Sequence, residues 1–405
     1  MQIIEKLKNN QLNNNPTNIQ KICLDKLKSH PIPNSKSELW RLSNKKKFSE
    51  FLNFDLNESN ETAELPYDSK PQNSLRLIIG QGKSINIEEE NYSINSLEKE
   101  ELFNYIEENI SQFDQNEHWS DILNLSLSSK QNILGLKIQG AQLPALEIIS
   151  HSSSNSFCAK TLVVFIAKNC NVELLQINLG TKNSSLSQST FFCLDQNSSL
   201  KHGIVSYGSN KSNLLNSLNV IQKSNSEYNL GSLHFKFNYA RFEIHIKQSE
   251  GNAKTNIRGL QITNNTEQIA THTKIKFNGP NGFLDQINKS LANDKSHAIF
   301  EGSIIVPKIA QQTDASQLSR NLLLSNHAQI DTKPQLEIIA DDVKCKHGAT
   351  ISQLNEEELF YMRSRGLTLT QASQLQLSSY FQEIISFIPV TKDRWDLLDK
   401  LLKEN

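Results

Sequence analysis

"NVEL" (171–174), "SLKH" (199–202), "EYNL" (227–230) and "NAKT" (252–255) recur along the middle of the chain at intervals of 28, 28 and 25 residues. A drifting period of that size suits the coils of a β-solenoid, in which each coil buries its apolar face against its neighbours. An ordinary β-sandwich is the alternative. It needs hairpin turns roughly every 8 to 12 residues, and Asn-Gly hairpin signals are rare here. The period alone leaves both folds open.

Around these landmarks, from Leu75 to about Thr350, the chain is a series of short β-like runs broken by Gly, Asn and Ser. Examples are "SLRLIIG", "NILGLKIQG", "TLVVFIAKN", "SLHFKFNYARFEIHIKQ", "HAIFEGSIIV" and "PQLEIIAD". Residues 1 to about 70 read as helical, with Ile3, Ile4 and Leu7, then Ile19, Ile22 and Leu27, at helical spacing. "NESNETAELPYDSKPQNS" reads as a polar linker. Three units follow: a helical region and linker over 1–72, a β core over 73–350, and a helical domain over 351–405.

The last unit carries the clearest local signals. Asn355 is placed to cap "EEELFYMRSRG", with Glu358 three residues on, acids in the first turn, Arg363 and Arg365 in the last, and Gly366 just beyond. A second helix, roughly Thr370 to Phe387, carries Leu377, Phe381, Ile384, Ile385 and Ile388 toward one side, and Pro389 stops it. "KDRWDLLDKLLKEN" reads as a short amphipathic helix with Trp395, Leu398 and Leu402 on a stripe. Such stripes usually pack on their own domain, yet a terminal helical pair also offers a docking surface.

A formal charge of -1 over 405 residues gives no global drive toward nucleic acid or anionic lipid, and no apolar run has membrane-spanning length. The first residues, "MQIIEKLKNNQLNNN", lack the apolar core of a signal peptide. Five cysteines (Cys23, Cys158, Cys170, Cys193, Cys345) are scattered and odd in number, which suggests reduced thiols in a cytoplasmic protein.

Most motifs with chemical potential fail on spacing. "GQGKS" (80–84) lacks the glycine six positions before its lysine, where Leu77 stands, so nucleotide hydrolysis is rejected. His151, His202, His234, His245, His272, His297 and His327 are dispersed, and each reads as a solvated or hydrogen-bonded histidine. Asp341 and Asp342 are adjacent on a strand-like run, so their carboxylates face opposite sides and do not converge for sugar chemistry. That weakens the rival reading of a carbohydrate-acting β-solenoid enzyme.

"DDVKCKHGAT" (341–350) is different. On a strand, Cys345 and His347 project side by side, with Lys344 and Lys346 on the opposite face. Thiolate and imidazole suit iron, zinc or copper, and the lysines are expected to favour the thiolate. Two ligands do not close a site. Either the pair is an unliganded polar patch, or a second subunit supplies the remaining ligands.

Residues 298–367, "AIFEGSIIVPKIAQQTDASQLSRNLLLSNHAQIDTKPQLEIIADDVKCKHGATISQLNEEELFYMRSRGL", closely resemble the core of the SufB/SufD family of iron–sulfur cluster assembly proteins. "CKHGAT" resembles the SufD branch rather than SufB, and "ATHTKIKFNGPNG" and "SELWRL" look like further family landmarks. The resemblance implies a right-handed parallel β-helix flanked by an N-terminal helical region and a C-terminal helical domain, in a non-enzymatic scaffold. It implies pairing with SufB through the β-helix cores and with the ATPase SufC through the C-terminal domain, where Leu359, Phe360, Met362, Arg363 and Arg365 would dock. It assigns His347, with Cys345 beside it, to the SufB interface, where a nascent cluster forms. No cofactor is expected to be held stably by the chain alone; iron or a cluster would be transient. A purely structural adaptor for SufC is the second rival.

Overall fold

The computed structural model of the protein describes residues 17–29, 32–33, 37–53, 74–81, 85–112, 117–209 and 211–389. Ile3, Ile4, Leu7, the linker near 55–72, residues 82–84 of "GQGKS" and the helix expected around Trp395 lie outside these residues.

The chain opens with α1 (Asn18–Ser29), a single turn at Glu38–Trp40, and α2 (Lys45–Phe51). Asn44 caps α2, its side chain accepting from the amides of Lys46 and Lys47, which satisfies two of the donors a helix start leaves free. Three short strands follow: β1 (Ser74–Ile78), β2 (Asn86–Glu88) and β3 (Tyr92–Ser96). Then come α3 (Lys99–Gln112) and α4 (Trp119–Leu127). These two helices lie inside the segment that the sequence reading took as β throughout. Leu102 and Ile106, four apart, are buried, so α3 is an amphipathic helix with Glu100 and Glu101 in its first turn.

The solenoid is built by β4 (Ile133–Gly140), β5 (Ala145–His151), β6 (Phe157–Ile166), β7 (Asn171–Leu179), β8 (Ser185–Leu194), β9 (Ser199–Tyr207), β10 (Asn213–Gln222) and β11 (Glu227–Phe235). It continues through β12 (Tyr239–Gln248), β13 (Lys254–Thr263), β14 (Gln268–Phe277), β15 (Phe283–Ala292), β16 (His297–Val306), β17 (Asp314–Leu323), β18 (Gln329–Ile338) and β19 (Lys344–Ser352). Odd-numbered strands from β5 onward, with β1, form one sheet in the order β1-β5-β7-β9-β11-β13-β15-β17-β19. The other sheet runs β18-β16-β14-β12-β10-β8-β6-β4-β3-β2, and within it only β2, β3 and β4 pair antiparallel. Successive coils therefore stack in parallel register: Asn171 beside Ser199, Ser199 beside Glu227, Glu227 beside Lys254. The recurring tetrapeptides mark strand starts on one face of the solenoid, the last of them two residues early.

The scarcity of Asn-Gly has a physical cause. Coil corners need one residue in the left-handed region, not a hairpin turn, and Asn tolerates it. Asn155, Asn169, Asn183, Asn197, Asn225, Asn252, Asn265 and Asn281 all have φ between 51° and 60°. Some stack as ladders, with Asn197 Nδ2 donating to Asn169 Oδ1 at 3.1 Å.

Inward positions of both sheets form the main apolar core, including Leu136, Leu174, Phe192, Leu218, Ile244, Ile257, Phe277 and Ile304. Each such side chain contributes about 1.5–3 kcal/mol of burial. The N-terminal helices cover the outer face of the second sheet, where Trp40, Phe48, Phe51, Trp119 and Leu123 pack on Phe157, Phe191 and Tyr239. Asp121 of α4, fully buried, pins this layer by accepting from Ser189, Ser217 and Asn219.

At the C-terminus, α5 (Glu356–Ser364) is capped by Asn355, which accepts from the amides of Glu357 and Glu358, and Gly366 sits at φ 97°. Then α6 (Leu369–Ile385) starts at a Thr368–Gln371 capping box. Its Leu377, Phe381 and Ile384, with Ile388 beyond, are buried against the outer face of the first sheet. Ile388 packs over Gly203 and Gly231, where a Cβ would stand 2.9–3.0 Å from it. A side chain at either glycine would lift the helix end off the sheet.

Candidate functional site at the open terminal coil

Strands β18 and β19 close the solenoid's sequence but not its stack. Each pairs on one side only, β18 with β16 and β19 with β17. Their other edges present unpaired amides and carbonyls, which natural proteins seldom leave open without a covering element or partner. Nothing among the described residues covers them. The rim is also apolar: Ile338 is 40%, Ile339 61% and Ile351 47% exposed. These isoleucines did not figure in the sequence reading, because a strand pattern does not say which coil is last.

Cys345 and His347 lie in β19, beside Ala315 and Gln317 of β17. Both partners are buried, and alternation along the strand therefore turns Cys345 and His347 toward the solenoid interior. Cys345 packs, half-buried, against the main core. His347 is exposed because no coil follows it. Beneath it, Gln317 donates to Gln286 Oε1 at 3.1 Å, and Gln286 in turn donates to Thr273 and Asn288. His347 thus caps a hydrogen-bonded column of interior side chains.

The expected thiolate at Cys345 is corrected. Its pKa is raised, by burial first and then by the carboxylate of Asp314, with the Ala315 backbone hydrogen bond opposing. Lys344 and Lys346 are exposed on the outward face of the strand and do not reach the thiol. The lysine argument counted sequence neighbours, whereas alternation places them on the wrong side. Among the described residues no group of three His, Cys, Asp or Glu side chains is close enough to hold a metal ion. The Cys345–His347 pair supplies two ligands at most.

The reading of the other histidines as solvated or hydrogen-bonded also needs correction. His234 is buried, stacked on Phe242 at 3.4 Å, with no hydrogen-bond partner among the described residues on either ring nitrogen. His202 donates to or accepts from Tyr228 at 2.9 Å through Nδ1, while its Nε2 has no partner. Burial pushes both down to about 3, so both are neutral. His297 does follow the expectation, 2.6 Å from Asp331.

On α5, Phe360 is 73% exposed; Arg363 and Arg365 are exposed, and Leu359 and Met362 are half-buried. The helix buries none of its residues. Tyr361, Leu369 and Leu375, all more than half exposed, extend this surface and went unremarked in the sequence. Arg365 lies over the Tyr361 ring at 5.3 Å.

Comparison with known proteins identifies the family. Residues 148–380 match the family described as SUF system FeS cluster assembly, SufBD core domain. The chain belongs to the SufBD family. The match runs from β5 to α6, so it takes in the solenoid coils, the open rim with Cys345 and His347, and the helical pair. A SufBD family iron-sulfur cluster assembly protein of Synechocystis is 40% identical over 171 residues, 42% of this chain and 38% of that protein. The chloroplastic protein ABCI7 of Arabidopsis thaliana is 36% identical over 197 residues, 48% and 42% of the two chains. The iron-sulfur cluster assembly protein SufD of Escherichia coli is 39% identical over 135 residues, 33% and 31%. These matches span less than half the length of each relative. The description of the matched family is one of iron–sulfur cluster assembly in the SUF system. No helix among the described residues is long and apolar enough to cross a membrane.

Proposed function

We propose that the chain is a SufD-type scaffold subunit, without catalysis of its own, that works in the cytoplasm in a complex with SufB and SufC. The observation that carries this reading is the open terminal coil: two unpaired strand edges, an isoleucine rim, and a thiol and imidazole at its centre. Edge pairing with a second solenoid would satisfy the free backbone groups and bury the rim together. His347 and Cys345 would then face the partner, and SufB side chains would complete the ligand shell that two donors cannot close. Iron and the nascent cluster are cargo at that junction, not a resident cofactor.

The exposed face of α5 and the start of α6 is the proposed docking surface for SufC, with Phe360 at its centre and Arg363 and Arg365 at its rim.

The test is to express the chain with its SufB and SufC counterparts and measure iron and acid-labile sulfide in the purified complex. His347→Ala should leave the complex assembled but strongly reduce both contents, and Cys345→Ala should have the smaller effect. Unchanged cluster content in the His347 variant would support the adaptor reading instead.

A further inference from the structure

A second polar site lies between the N-terminal helical layer and the outer face of the second sheet, reaching the outer face of β18 at one end. Glu243, His272, Glu301 and Lys333 stand side by side on β12, β14, β16 and β18, one per coil. They line part of a cavity of about 350 Å³. The Arg241 guanidinium lies over the Trp40 ring at 3.9 Å. It donates to Glu243 Oε1 at 2.6 Å and to His272 Nε2 at 2.6 Å. That contact puts the His272 proton on Nδ1, 2.9 Å from Glu301 Oε2.

The wall's charges do not cancel. Arg241 pairs with Glu243, Lys274 with Glu117, and Lys333 with Glu38. Burial holds His272 below its usual range and pushes His245 down to about 3, so both imidazoles are neutral. Glu301 and Glu337 also line the cavity; burial would raise the Glu301 carboxyl, but the His272 hydrogen bond and the charges of Arg241 and Lys333 hold it low, and among the described residues neither glutamate forms an ion pair with a lysine or arginine. Two buried side-chain atoms also lack a hydrogen-bond partner among the described residues. Glu243, with its side chain only 4% exposed, has no hydrogen-bond partner on Oε2, and His245 has none on Nε2. A buried carboxylate oxygen without a donor is costly.

We propose that this cavity binds a small organic cation, whose ammonium group donates to Glu243 Oε2 and, with the His245 proton on Nδ1, to His245 Nε2. A bare metal ion fits less well. No three metal-ligating side chains converge among the described residues, and the volume equals about a dozen waters, room for a ligand of several heavy atoms. Thr273, Ser303 and Gln335 supply neutral polar lining for the rest of the molecule. The inference does not depend on the assembly role, and it is read on the chain alone.

Putrescine is the probe, titrated calorimetrically into the full chain at low salt. Saturable binding is expected, weakened about tenfold by Glu243→Gln and abolished by Ser303→Phe, which fills the cavity. Glu173→Gln, an exposed change on the other sheet, should leave it unaltered. Because Glu243 holds Arg241, its variant is checked for folding by circular dichroism; Glu337→Gln, at an exposed position, should also weaken binding severalfold and carries no such risk. Absence of saturable putrescine binding overturns the proposal. So does binding that survives both Glu337→Gln and Ser303→Phe, or binding of Mn²⁺ in place of putrescine.

Discussion

His347 stands beside Gln317 in the parallel register of β17 and β19, one coil beyond the last amide that the interior column can bond. The two residues occupy the same column but opposite environments: Gln317 is 2% exposed, His347 is open to solvent. Their substitutions should therefore separate. His347→Ala is expected to change unfolding free energy by less than about 0.5 kcal/mol. Gln317→Leu leaves Gln286 Oε1 without its donor and should cost about 1–3 kcal/mol. Urea unfolding of the isolated chain measures both, and equal effects would contradict the column.

The isoleucine rim predicts an interface that charge will break. Ile351→Asp and Ile338→Asp, at exposed positions, should leave the melting temperature of the chain nearly unchanged while abolishing its pairing with SufB. Size-exclusion chromatography of the mixed proteins reads the outcome; a stable pair formed by the double variant would rule out edge pairing at this coil.

Phe360 makes the corresponding prediction for the C-terminal helices. As the most exposed large side chain on α5, it should contribute about 2 kcal/mol or more to SufC docking if it is an anchor. Phe360→Ala is expected to weaken SufC binding at least tenfold and to leave the SufB contact intact. Binding isotherms for the two partners would show the split.

The raised pKa of Cys345 predicts a slow thiol. Alkylation by iodoacetamide, followed at this residue by peptide mass spectrometry, should reach its half-maximal rate at a higher pH than an unperturbed cysteine does, about 8.5. The cause to test is burial, then Asp314: Asp314→Asn should move the profile down. A profile already saturated at pH 7 would restore the thiolate that the lysines suggested.

Acid should unfold the chain in two stages. His202, His234 and His245 have folded pKa values pushed down to about 3, below their unfolded value of about 6.5. The unfolded state takes up their protons first, so stability falls as pH drops below about 6.5, by up to about 1.4 kcal/mol per pH unit for each histidine. Asp121 acts lower down. Its pKa is also depressed: burial would raise it, but His118, Ser189 and Asn219 outweigh that. Its contribution is present above about 3.9 and lost as pH falls through the depressed folded value. Denaturation midpoints from pH 7.5 to 4 check the first stage, and His234→Leu should flatten the slope.

By itself the sequence determined what is local. The spacing of 25 to 28 residues suited stacked coils without excluding a sandwich, Asn355 and Gly366 marked the ends of α5, and Leu377, Phe381, Ile384 and Ile388 marked the face of α6 that is buried. Each depends on residues a few positions apart or on a repeat, and both are written in the chain. The "SLEKEELFNYIEEN" helix was equally legible, through Leu102 and Ile106, but was masked by the β runs on either side. Only the tertiary structure decided which side chains lose water. His234 sits under Phe242, Cys345 lies on the core with its lysines turned outward, and Glu243 is held by Arg241, whose guanidinium meets Trp40 across about two hundred residues of chain. Desolvation and charge depend on what packs across coils, and no spacing along the chain states which coil is left uncovered.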